Sequence, residues 1–136
     1  MSTSSTPKSE YMLLFRGPHW DKGLSPQELQ QVMGQVMQWF EGLKQQGKVK
    51  AGQPLADERR IVSGKNGRTV ADGPFAESKE AVGGYLLLEA DNLDEVLAIA
   101  KSNPTLEYGI TIEVRNVLDE CPVFQRAKER LALATA

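Results

Sequence analysis

Gly83-Gly84-Tyr85-Leu86-Leu87-Leu88-Glu89, followed by Asn92-Leu93-Asp94-Glu95-Val96-Leu97, hands a strand directly to a helix. Tyr85 to Glu89 is an unbroken apolar run of strand length, the pattern of a central strand. Asn92 stands as an N-cap with Glu95 three residues on, the spacing at which two side chains satisfy the free N–H groups of a helix start. Leu93, Val96, Leu97 and Ala100 recur at helical spacing behind it, and Pro104 ends the helix. Ile110, Ile112 and Val114 then alternate with Thr111, Glu113 and Arg115, which predicts a strand with one apolar and one polar face.

The same grammar runs upstream. Tyr11-Met12-Leu13-Leu14-Phe15-Arg16 is a second apolar run, closed by Gly17-Pro18. After the irregular His19-Trp20-Asp21-Lys22-Gly23 loop, Ser25, Pro26 and Glu28 form a capping box. Leu29, Val32, Met33, Val36, Trp39, Phe40 and Leu43 give that helix an apolar face, and Gly47 ends it. Lys48 to Gly52 reads as an edge strand protected by lysine. Arg59 to Ser63 and Arg68 to Ala71 flank Lys65-Asn66-Gly67, a hairpin signal. Val123 to Leu133, behind Pro122, is helix-prone. Residues 1–9 are small and polar and are expected to be a disordered leader, 10–117 an α+β domain, and 118–136 a C-terminal helical extension.

Two βα units sharing one sheet, with a hairpin inserted between them, predict a ferredoxin-like sheet with helices on one face. Tyr11 to Arg16 and Tyr85 to Glu89 are apolar on both sides, so the second face needs a cover. Homodimerisation through the sheets is the simplest one.

A chain of 136 residues, 40% hydrophobic and 25% charged, fits one domain with one core. Its net charge of −2 leaves no basic excess for nucleic acid or an anionic membrane. No segment approaches the roughly 20 apolar residues of a membrane span, and residues 1–10 lack the apolar centre of a signal peptide, so a cytoplasmic location is expected. One cysteine, Cys121, and one histidine, His19, exclude an intrachain disulfide and a zinc site of the usual Cys/His kind.

Met12-Leu13-Leu14, the run Asp72-Gly73-Pro74-Phe75-Ala76-Glu77-Ser78-Lys79-Glu80, Gly83-Gly84-Tyr85, and Tyr108-Gly109 with Glu113-Val114-Arg115 resemble the DGPF branch of the YCII-related proteins over residues 10–117. The resemblance implies a bacterial protein with a dimeric α+β barrel fold, in a family mostly without an assigned reaction. Relatives on that fold include cofactor-free isomerases and monooxygenases, so no cofactor is expected. Some YCII-related proteins carry a proposed His–Asp pair, the His on the first helix and the Asp before a Pro after the second. Here Gln27 to Leu43 contains no His, and Asn103 precedes Pro104, so that pair does not carry over.

Asp72 is the first candidate for a catalytic acid, its direction fixed by Gly73-Pro74; the same residues also make an ordinary turn in which Asp caps backbone N–H groups. His19 is the second candidate, a near-neutral titrating group at a strand end, or a surface residue beside Trp20. Glu77 and Glu80 read as first-turn acids of a short helix. Arg16, Tyr85, Glu113 and Arg115 are candidate ligand-binding residues; for Arg16, Glu113 and Arg115 the plainer alternative is cross-strand ion pairing. Met33, Met37, Trp39 and Phe40 read as core by their helical spacing, with a pocket wall as the other reading. Cys121 reads as structural. The expected function is a homodimeric domain binding a small molecule or partner in the cleft between sheet and helices. The alternative is a cofactor-free isomerase- or oxygenase-like enzyme with an acid/base group in that cleft.

Overall fold

The computed structural model describes residues 8–72 and 81–135, with every side chain but those of 71, 72 and 135. The chain runs β1 (Ser9–Arg16), α1 (Pro26–Gln45), β2 (Val49–Pro54), β3 (Arg60–Ser63), β4 (Thr69–Asp72), β5 (Val82–Ala90), α2 (Leu93–Lys101), β6 (Thr111–Val117) and α3 (Pro122–Thr135). Four strands form an antiparallel sheet in the order β2-β5-β1-β6, while β3 and β4 pair separately as a hairpin. With that hairpin taken as an insertion, the order is β-α-β-β-α-β, the split βαβ arrangement. The fold is α+β, and β2 lies at the sheet edge as expected.

Local chemistry sets the helix ends. Ser25 Oγ accepts from the Glu28 N–H at 3.1 Å and Glu28 Oε1 accepts from the Ser25 N–H at 2.9 Å, a complete capping box. Gly47, at φ +72°, takes the left-handed conformation that a helix end requires. Asn92 Oδ1 accepts from the Glu95 N–H at 2.9 Å, but the Glu95 carboxylate turns to the Asp91 N–H at 2.8 Å instead of that of Asn92. Its second oxygen is drawn 2.6 Å from Lys48 Nζ, which ties α2 to the start of β2.

Strand parity divides the sheet into two faces. Tyr11, Leu13, Leu86, Leu88 and Ala90 point to the helices and form the core with Leu43, Val96 and Ala100. Leu13, Leu88 and Val96 are the largest fully buried side chains, each contributing about 1.5–3 kcal/mol of transfer free energy. Met12, Leu14, Tyr85 and Leu87 are half-buried on the other face. There the charged side chains pair: Arg16 with Glu113 and Lys50 with Glu10 and Glu89 across strands, and Arg115 with Glu113 along β6.

Candidate functional site: an apolar cavity under the first helix

Between β1 and β5 the register slips at the end of β1, so that Arg16 pairs with Val82 and Gly83 is skipped. Gly84 faces Phe15, and Gly52 of β2 faces Leu86, so the helix-side face lacks side chains at both positions. The space is shaped by close backbone contact. A Cβ on Gly83 would lie 2.7 Å from Pro18 Cβ, and one on Gly84 3.1 Å from the Gln53 carbonyl oxygen. Above this glycine floor opens a cavity of about 430 Å3.

Its roof is α1, through Met33, Val36, Met37, Trp39 and Phe40; Phe15, Leu86 and Ile110 form the apolar side, and Pro18 and Trp20 stand at the rim. Met33 and Met37 are 42% and 54% exposed, so their helical spacing marks a pocket wall and the core reading is corrected. The roof is fixed: Trp39 Nε1 donates to the Ile99 carbonyl at 3.2 Å and to Ser102 Oγ at 2.8 Å, linking α1 to the end of α2. Trp20 is held by a tilted contact with Tyr108, ring centroids 5.9 Å apart.

The buried polar element of the wall is Asn103 with Thr105, while the amide of Gln53, also in the wall, is exposed. Asn103 Oδ1 accepts from the Thr105 N–H at 2.8 Å and from the Thr105 hydroxyl. Because the backbone N–H can only donate, the orientation of the amide is settled, and Nδ2 is left as a donor on a residue of the cavity wall. Among the described residues lining the cavity, only Tyr85 carries a titratable side chain.

Of the described residues expected from the sequence as site residues, only Tyr85 borders this cavity. Arg16, Glu113 and Arg115 do meet, with Glu113 hydrogen-bonded by both guanidinium groups, which hold its carboxyl below the usual carboxylate range. They lie on the opposite face of the sheet, because Leu14 pairs with Glu113 and Met12 with Arg115 in register. Tyr85 borders the cavity, although its register places it with Leu14 and Glu113 on the open face. His19 sits outside it, Nε2 3.5 Å from Asp57 Oδ2 and without a hydrogen bond. The side chain of Asp72 and the whole Gly73 to Glu80 run, Glu77 and Glu80 included, lie outside the described residues. Cys121 is exposed ahead of α3 instead of packed.

Among the described residues there is no cluster of His, Cys, Asp and Glu able to hold a metal ion, and no helix long and apolar enough to cross a membrane.

Residues 10–120 match the family model of the YCII-related domain, which is most of the chain. The chain belongs to the YCII-related family. No curated protein matches it. Among solved structures, 5-chloro-2-hydroxyhydroquinone dehydrochlorinase (TftG) from Burkholderia phenoliruptrix AC1100, in complex with 2,5-dihydroxybenzoquinone, is similar at 20% identity and a TM-score of 0.44. The match covers 81% of this chain and 95% of that one.

Proposed function

We propose that this YCII-related chain is a homodimeric domain that binds a small, mainly apolar molecule in the cavity beneath α1, with Asn103 Nδ2 donating to one acceptor on it. The observation that carries this reading is the cavity itself. Its volume of about 430 Å3 lies in the range of ligand sites, and its aromatic and methionine wall holds one pre-oriented amide donor. Among the described residues, His19, Arg16 and Arg115, the candidates for proton transfer and charge stabilisation, are not in its wall, which supports reading it as a binding site. The dimer is supported by the half-buried Met12, Leu14, Tyr85 and Leu87 on the face away from the helices, the face through which two such sheets would close a barrel. Within the family we place the chain in the DGPF branch on the Asp72-Gly73-Pro74-Phe75 run, and in the cytoplasm.

Size-matched probes test the donor. By calorimetric titration, 2-acetylnaphthalene should bind several-fold more tightly than 2-ethylnaphthalene, the worth of about 1 kcal/mol for a neutral hydrogen bond. Equal affinities would remove Asn103 from the site, and no binding of either would remove the cavity.

A further inference from the structure

Every residue from Leu118 to Ala134 is exposed. Yet α3 is amphipathic: at 100° per residue, Val123, Phe124, Ala127, Leu131 and Ala134 share one arc of about 100°, with Gln125, Lys128 and Glu129 outside it. Val123, Phe124 and Leu131 are 60%, 68% and 66% exposed. An apolar stripe of this kind typically faces an apolar partner.

We infer that α3 is an exchanged arm, packing its stripe on the body of a second copy of this chain. This rests on the homodimer proposed above and extends it to residues outside the sheet.

Area points to a second copy. A face of four strands at about 4.8 Å spacing and about seven residues at about 3.3 Å has a projected footprint of roughly 450 Å2, small beside the roughly 800 Å2 of accessible surface per partner in a standard interface. With its 14 residues, α3 is about 21 Å long and about 10 Å across, so in a symmetric exchange each copy gives roughly 200 Å2 and receives as much. The arm nearly doubles the contact. Charge agrees: Arg126, Lys128 and Arg130 against Glu129 leave α3 at +2 in a chain of −2, so the remaining residues stand at −4 and attract the arm.

The full chain carries the test, with two single substitutions of equal charge. Phe124→Glu lies on the stripe; Leu133→Glu lies off it, although Leu133 is the more exposed at 77%. Sedimentation equilibrium should give a dimer for the native chain, a dissociation constant raised at least tenfold for Phe124→Glu, and an unchanged one for Leu133→Glu, with circular dichroism the same in all three. A dimer indifferent to Phe124→Glu overturns the arm and leaves the sheet-mediated dimer standing. Equal weakening by both substitutions overturns the stripe. A monomeric native chain overturns the dimer and the arm together.

Discussion

At the scale of single residues, the site depends on positions whose importance lies in what they omit or fix. Gly83 has no room for a side chain, since its Cβ would meet the ring of Pro18 at 2.7 Å. Gly83→Ala should therefore cost about 1–3 kcal/mol by overpacking, read as a lowered denaturation midpoint in urea. Asn103 was visible in the sequence only as the residue that replaces a carboxylate before Pro104. Its function as an amide oriented by Thr105 needs the three-dimensional contact. Asn103→Asp keeps an oxygen for Thr105 but places a carboxylate at a position only 6% exposed, where charge is disfavoured. The variant should melt below the native chain and lose the preference for 2-acetylnaphthalene over 2-ethylnaphthalene. A preference that survives would mean another group donates. The glycines were legible as turn and strand punctuation; that they form a floor was not, because it follows from the register slip that skips Gly83.

At the scale of elements, the sequence was most informative where local chemistry closes on itself. The capping box of α1 is set by Ser25 and Glu28 alone, so Ser25→Ala should cost about 1 kcal/mol, measurable by urea denaturation. The second cap was read correctly at Asn92 but not in its return bond, because Lys48, far away in sequence, competes for Glu95. That competition has a pH signature. Hydrogen bonds from Lys48 and from the Asp91 N–H hold the Glu95 carboxyl below the usual carboxylate range, and the Arg16 and Arg115 guanidinium groups do the same for Glu113. A carboxylate with a lowered folded-state pKa contributes stability that is complete above its unfolded value and is lost as pH falls through the folded one. The melting temperature should thus hold from pH 7 to about 5 and fall below about 4.5, with a shallower fall in Glu95→Gln. An equally steep fall in that variant would show that Glu95 has no part in it.

At the scale of the whole molecule, the α+β class was legible in the order of elements, and the alternation of β6 came out as expected, Ile112 and Val114 toward the core and Glu113 and Arg115 away from it. The meeting of Arg16, Glu113 and Arg115 was likewise foreseeable, Glu113 and Arg115 from parity along β6 and Arg16 from the neighbouring β1. Their separation from the cavity was foreseeable too, since one sheet cannot present the same parity to both faces; the expectation erred in joining a polar cluster on one face to a cleft on the other. The Met33, Met37, Trp39 and Phe40 group was ambiguous for a different reason. Helical spacing tells which side of α1 faces inward, but not whether the opposing strands carry side chains to meet it. The central claim is that a small apolar molecule is held beneath α1, with its acceptor on Asn103. Heteronuclear NMR of the full chain titrated with 2-acetylnaphthalene reports on every part of the molecule at once. The side-chain amide signal of Asn103 and the indole N–H signals of Trp20 and Trp39, the two tryptophans of the chain, should shift together and saturably, while the guanidinium signal of Arg115 stays in place. Shifts confined to Arg115 and the open face of the sheet, or none at all, would contradict the account.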